Sequence, residues 1–407
     1  MAKKRALVVG GSLGGLFAAN LLADLGWEVE AFERVGDDLA ARGAGIGTHG
    51  ALLRILADLG VPLDERLGIR STDRTCLDRE GRERYRLHWG HVMSAWSSVY
   101  RPLKERFRGR YHFGRSFAAF EETPGAVNVR FADGSQASGD LLIGADGLRS
   151  AVRGQLFPGL APAYAGYVAW RGIVEERRIP EPARARLDGG YWFVLPPGEM
   201  MLCYQVPAKD PRSGRPDWNF VWYRPVSDAG LRELSTDAEG RDHGLAMPPE
   251  LIRREAIAAV KADAQALLPA ALADLVGSSD PFFQAIFDLC APRLASGRVV
   301  LLGDAACVVR PHVGMGVTKA ALDAVCLARS VERHPGDLSA ALARYDRLRG
   351  EFGRRCVARA QAIGAYIEAR SRPERAWTPE QLDQTPQRLL HAVALEMGKI
   401  PDLALET

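Results

Sequence analysis

The order of apolar and polar positions in the first 33 residues already predicts a unit of structure. Residues 5–9 (Arg-Ala-Leu-Val-Val) are a short apolar run that stops at Gly10-Gly11, the mark of a buried strand. Residues 14–25 set Leu16, Ala19, Leu22 and Ala23 at helical spacing, and Gly26 ends the pattern. Residues 27–33 (WEVEAFE) then alternate as a strand up to Glu33. Strand, helix and strand in this order predict a βαβ unit, the opening of a doubly wound α/β domain. The stretch 49–59 predicts another helix, stopped by Gly60 and Pro62.

Further along, 76–96 is polar and shows no clear period. VNVRF (127–131) followed by Ala-Asp-Gly-Ser predicts a strand entering a hairpin turn, and 140–147 predicts an apolar strand ending in a glycine turn. From 164 to about 224 the runs are rich in aromatic and β-branched residues, broken by proline and glycine. They predict a separate, antiparallel sheet. Residues 250–275 look helical, 298–306 return to a buried strand, and 314–330 and 337–370 are helical again. The chain is therefore expected to hold a discontinuous α/β domain (1–75, 97–163 and 280–334). A β-rich substrate domain (76–96 and 164–279) interrupts it, and a helical segment (335–407) follows.

Composition narrows the class. The 407 residues are 47% hydrophobic and 25% charged, which excludes a disordered or collagen-like chain. Fifty-three basic against 50 acidic residues leave a net charge of +3, so nothing points to nucleic acid or an anionic membrane. No apolar run is long enough for a membrane span, and the one after the basic N-terminus is too short for a signal peptide. Cysteines 76, 203, 290, 307, 326 and 356 are scattered, with no CxxC pair. They suggest neither a zinc site nor a disulfide framework, so a reduced, cytoplasmic protein is expected. His88 and His91 lie three apart with no third ligand, and no metal site is expected.

Three segments carry chemistry. Gly10-Gly11-Ser12-Leu13-Gly14-Gly15 lies between strand and helix and fits GxGxxG with Ser12 at the middle glycine. Such a turn presents free backbone N–H groups and a helix dipole to a pyrophosphate. Glu33, with Arg34 after it, ends the next strand, where a carboxylate accepts hydrogen bonds from a ribose. The second segment, around Asp146-Gly147, ends a strand and opens a helix. The third runs from Gly303-Asp304-Ala305-Ala306-Cys307 through Arg310, Pro311 and His312 to Gly314-Met315-Gly316. There Asp304 is placed to accept a ribitol or ribose hydroxyl, and the glycines expose N–H groups at a helix start.

Together, in this order, these segments resemble the flavin-dependent aromatic hydroxylases of the para-hydroxybenzoate hydroxylase fold. The likeness covers nearly the whole chain. It implies a glutathione-reductase-like FAD-binding α/β domain with an inserted β-rich substrate domain and C-terminal helices. It also implies FAD, with NADH or NADPH as cosubstrate, and hydroxylation of an electron-rich ring through a flavin hydroperoxide. The stretches VVGGSLGGL, YAGYVAWRG and GDAACVVRPH resemble those of family members that act on hydroxypyridines, a likeness that implies such a ring as substrate. Cys307 stands where many relatives have histidine, and Arg101 matches an arginine that contacts flavin in many of them.

The FAD contacts implied are Gly10, Ser12, Leu13, Gly14, Gly15, Glu33, Arg34, Arg101, Asp146, Gly147, Asp304, Pro311, Gly314, Met315 and Gly316. The chemistry needs a base near the substrate hydroxyl and a dry pocket. His312, in the loop expected beside the flavin, and Tyr204, in the run MLCYQV, are the catalytic candidates, with Cys307 a rival for substrate contact. Trp192, Trp222 and Tyr223 are read as sheet core. The expected partners are a small aromatic or heteroaromatic substrate and O2, with room for a homodimer. Two alternatives stay open: a dehydrogenase or reductase on the same fold that inserts no oxygen, and an FAD-binding protein without turnover.

Overall fold

The computed structural model describes residues 3–41, 44–210, 212, 214–244 and 247–394. In chain order, β1 (Arg5–Val9), α1 (Leu13–Asp24), β2 (Glu28–Phe32), β3 (Gly45–Thr48) and α2 (Gly50–Asp58) come first. They are followed by β4 (Ile69–Leu77), β5 (Glu83–Ala95), α3 (Trp96–Arg106), β6 (Arg110–His112), β7 (Phe117–Thr123), β8 (Ala126–Phe131), β9 (Gln136–Gly139) and β10 (Leu141–Gly144). The middle of the chain holds α4 (Ala151–Leu156), β11 (Ala163–Glu175), α5 (Glu181–Leu187), β12 (Tyr191–Val194), β13 (Met200–Val206), β14 (Asp217–Pro225) and α6 (Asp228–Leu234). Then come α7 (Arg254–Leu267), α8 (Ala270–Gly277), β15 (Phe282–Cys290), β16 (Ala295–Ser296), β17 (Val299–Leu301) and β18 (Cys307–Val308). Helices α9 (Gly316–Arg333), α10 (Leu338–Ser371), α11 (Pro379–Leu382) and α12 (Pro386–Ala392) close the described chain.

Six strands form one sheet in the order β16-β17-β10-β1-β2-β6, parallel except for the edge strand β16. Its centre is covered on both faces, which is why β1 reads as an unbroken apolar run: Ala6, Leu7 and Val8 are fully buried. Helix α1 packs on β1 and β2 with α9 against it, and the small sheet β7-β8-β9 touches β1 and β10.

The second sheet has nine strands, β18-β15-β11-β14-β13-β12-β4-β5-β3. Its strands alternate between two separate cores. On β14, Trp218, Phe220 and Trp222 join an outer core with Trp192 and residues of α7 and α8. Val221 and Tyr223 join the core shared with the α/β sheet. Trp218 and Trp222 are wholly buried, so truncating either to alanine costs roughly 3–5 kcal/mol. Tyr223 thus lies on the inner face, not in the outer core with the tryptophans.

Two expectations are corrected. The stretch 76–96 is mostly strand: Tyr85, Leu87 and Trp89 are half-buried and alternate with exposed Arg84, Arg86 and His88. The exposed face is so rich in arginine that it hides the period. Cys290 and Cys307 are joined by a disulfide, because β15 and β18 pair antiparallel with these two residues opposite each other. Their separation of 17 residues carries no motif, so the pairing exists only in the fold. Cys76, Cys203, Cys326 and Cys356 are free thiols. Among the described residues, no helix is long and apolar enough to cross a membrane.

Candidate active site

A cleft of about 680 Å³ runs along the carboxyl ends of the parallel strands. Ser12, Leu13 and Gly14, at the start of α1, line it together with Gly10, Glu33, Arg34, Asp146, Gly147, Asp304 and Gly316. Trp96 and Gln284 also line it, and Gln284 belongs to the nine-stranded sheet. The three segments singled out in the sequence therefore meet in one place.

The glycines set the shape of that place. Gly10 has φ +106°, and a Cβ there would lie 2.3 Å from the Ala145 carbonyl oxygen. A Cβ on Gly15 would lie 1.9 Å from the Gly10 carbonyl oxygen. Helix α1 can approach the turn only because both lack side chains. Ser12 occupies the N-cap position, yet its hydroxyl makes no capping bond. Glu33 accepts hydrogen bonds from the backbone N–H groups of Gly11 (2.9 Å) and Val35 (3.0 Å), which fix its carboxylate at the cleft wall.

The other two turns are held from behind. Asp146 accepts from the Ser150 hydroxyl (2.5 Å) and from the Ala151 N–H (2.7 Å), so it caps α4 as well as lining the cleft. Buried Arg153 donates to the carbonyls of Ala305 (3.0 Å) and Leu148 (2.6 Å) and ties the second segment to the third. Asp304 opens onto the cleft with dense protein around it, and this desolvation raises its carboxyl above the usual aspartate range. Gly303, at φ +64°, is held by a network the sequence did not reveal. Its N–H donates to Asp323 (3.0 Å), while Lys319 donates to its carbonyl (2.9 Å) and to Asp323 (2.8 Å). Arg349 donates to the other Asp323 oxygen (2.6 Å). Burial alone would raise Asp323, but Lys319 and Arg349 outweigh it and hold the carboxylate ionised.

This geometry has known counterparts. A family model described as FAD binding domain-like matches residues 164–288. The chain is 32% identical to 2,6-dihydroxypyridine 3-monooxygenase of Paenarthrobacter nicotinovorans, over 80% of this chain and 82% of that one. The chain belongs to the FAD-dependent aromatic monooxygenases. It is also 31% identical to an FAD-dependent urate hydroxylase of Klebsiella pneumoniae, over 96% and 97% of the two chains. The solved structure of 2,6-dihydroxypyridine-3-hydroxylase from Arthrobacter nicotinovorans matches with a TM-score of 0.85 at 28% identity, covering 97% of each chain. Klebsiella pneumoniae HpxO, solved with FAD and uric acid, shares the fold with a TM-score of 0.73 at 24% identity, covering 96% of each chain.

For such a monooxygenase the cleft suits FAD. It pairs a helix N-terminus and a Cβ-free turn, fit for a pyrophosphate, with carboxylates at both ends for sugar-type hydroxyls. Arg101 departs from the expected contacts: it is exposed on α3 and does not line the cleft, whereas Trp96 of the same helix does. Pro311, Gly314 and Met315 lie in the loop leading to Gly316 but are not part of the cleft wall.

His312, the candidate base, lies deep in the protein. It is 1% exposed, its Nε2 lies 2.7 Å from the Tyr167 hydroxyl, and its ring sits 4.2 Å from that of Tyr223. Burial, with Arg310 beside it, pushes its pKa down to about 3, so it is neutral at working pH. Tyr204 lies on the inner face of the sheet against Tyr191, and burial raises its pKa, so it stays protonated. Cys307 is closed in the disulfide with Cys290.

Several residues that the sequence did not mark for substrate contact surround this inner face. His91, Asn219 and Tyr366 are buried polar groups. Both ring nitrogens of His91, Nδ2 of Asn219, Nδ1 of His312 and the Tyr366 hydroxyl have no hydrogen-bond partner among the described residues. Burial, with Arg74 and His49 nearby, holds His91 well below the ordinary histidine range. The partner of His88 is Asp73 on the exposed side, 2.7 Å away, so the two histidines serve different surroundings. The only signal in the sequence was alternation: Asn219, Val221 and Tyr223 fall on one face of β14.

Proposed function

We propose that this monooxygenase hydroxylates a hydroxypyridine-type ring, held between the cleft and the inner face of the nine-stranded sheet. The observation that carries this reading is the set of unpartnered polar atoms on His91, Asn219, His312 and Tyr366 among the aromatic side chains of that face. Buried polar groups are normally paired, so such groups suit a flat ligand with oxygen and nitrogen on its edge. The likeness to dihydroxypyridine hydroxylases over most of the chain supports the same ring class.

Ser12, Leu13 and Gly14 would hold the FAD pyrophosphate, Glu33 and Arg34 the adenosine end, and Asp304 the ribitol. Asp146, Gly147 and Gly316 complete the wall. When bound, FAD supplies dioxygen activation with two electrons from NADH or NADPH; one oxygen atom enters the ring and the other leaves as water. The chain's own task is to orient the ring, exclude water and stabilise the electron-rich form of the substrate. Protonated Tyr204 suits that task as a donor.

Oxygen uptake with NADH or NADPH, measured across hydroxypyridines, hydroxybenzoates and purines, tests the reading. Uptake matched by hydroxylated product should be fastest with hydroxypyridines. Coupled turnover confined to benzoates or purines would overturn the ring class.

A further inference from the structure

Asn219 occupies an unusual position for a residue with only a structural duty. It is wholly buried, directly opposite Tyr204 across β13 and β14. Its Oδ1 accepts the Gly45 N–H at 2.8 Å. That bond fixes which end of the amide is the acceptor, and leaves Nδ2 as a pair of donors. Nδ2 has no partner among the described residues. A buried donor pair without a partner is unfavourable for folding, so the amide suits a ligand that supplies an acceptor.

The surroundings narrow what that ligand offers. A Cβ on Gly45 would lie 2.6 Å from Cγ of Asn219 and 2.8 Å from the Tyr204 hydroxyl. The amide and the phenol therefore converge over one glycine, and both offer donors. The Gly45 carbonyl accepts from Arg171 (3.2 Å), and Arg171 also donates to Oε1 of Gln284 (2.9 Å). Gln284 lines the cleft. A continuous polar chain thus joins Asn219 to the place where the flavin-binding cleft meets the sheet.

We propose that Asn219 determines specificity: its amide donors, with the Tyr204 hydroxyl, hold an oxygen of the substrate ring in its oxo or oxyanion form. This rests on the inner sheet face being the substrate site. Paired donors that lose their acceptor discriminate strongly, whereas an apolar pocket does not. Asn219 thus selects rings with an acceptor oxygen over rings with hydrogen or an amino group there.

The test uses purified FAD-loaded protein and reads the change in flavin absorbance as 2,6-dihydroxypyridine, urate, 4-hydroxybenzoate or 2-amino-6-hydroxypyridine is added. Asn219→Asp keeps the acceptor for Gly45 and replaces the donors. It should retain FAD, bind the dioxygenated ring at least about 100-fold more weakly, and favour the amino analogue relative to wild type. Asn219→Ser and Tyr204→Phe, which remove donors without adding charge, should each weaken binding of the dioxygenated ring about tenfold or more, and they decide the matter if the aspartate variant does not fold. Wild-type affinity in these variants overturns the role of Asn219 and leaves the ring class standing. Binding of urate or hydroxybenzoate alone, lost in Asn219→Asp, overturns the ring class and keeps Asn219. No flavin response to any ring in the wild type overturns both.

Discussion

The Tyr167 hydroxyl stands 2.7 Å from Nε2 of His312, and Arg310 donates to the same oxygen at 3.4 Å. Arg310 is itself clamped by Asp288 (2.5 Å) and Glu368 (2.8 Å). The Tyr167 oxygen is thus shared between the guanidinium and the imidazole. The imidazole is thereby held on the buried side of the loop at 310–316.

His312 should therefore leave no limb in the pH profile of turnover between about pH 6 and 9, because its pKa lies near 3. His312→Gln should change the rate without changing the profile's shape. Loss of a limb near pH 6.5 in the variant would restore His312 as the base.

The same depression makes a stability prediction. The folded pKa lies below the unfolded value near 6.5, so on acidification the unfolded chain takes up a proton that the folded chain refuses. This contribution is intact above pH 6.5 and is lost as pH falls toward 3. Between pH 7 and 5 it amounts to about 2 kcal/mol. Denaturant titrations at both pH values should show a smaller acid loss in His312→Gln than in wild type. Equal losses would contradict the burial argument.

Asp323→Asn should leave Lys319 and Arg349 buried without their shared anion. Breaking such a pair costs about 3–5 kcal/mol, and freeing the Gly303 turn should lower the FAD content. Melting temperature and flavin-to-protein ratio check this. A wild-type melting temperature would remove the network as the support of that turn.

The glycines separate packing from strain. Gly15→Ala places a methyl against the Gly10 carbonyl and should abolish FAD retention. Gly147→Ala meets open space and faces only its positive φ of +77°, a penalty of roughly 1–2 kcal/mol. It should keep most of its flavin. Equal flavin loss in the two variants would contradict the distinction.

The strand–glycine–helix unit and the turn at Asp304 were legible because each is built from neighbours in sequence. A buried run, a turn and a helical period are all local. What escaped depends on contacts between distant residues. His312 could be read as a histidine beside the flavin, but its partner Tyr167 is 145 residues away. Lys319 and Asp323 sit four apart on α9 like any surface pair, and only Arg349 and Gly303 make them a buried network. Cys290 and Cys307 meet through strand register. Arg74 fastens α12 and the chain just after it by donating to the carbonyls of Leu390 (2.8 Å) and Ala394 (2.9 Å), across more than 300 residues.

Isotopically heavy dioxygen tests the central claim most directly: the FAD-loaded protein joins activated oxygen to a ring held against the nine-stranded sheet. With NADH or NADPH and 2,6-dihydroxypyridine, the product should carry one heavy oxygen atom for each nicotinamide oxidised. An unlabelled product, or nicotinamide oxidation matched entirely by released hydrogen peroxide across all the rings tried, would contradict the account.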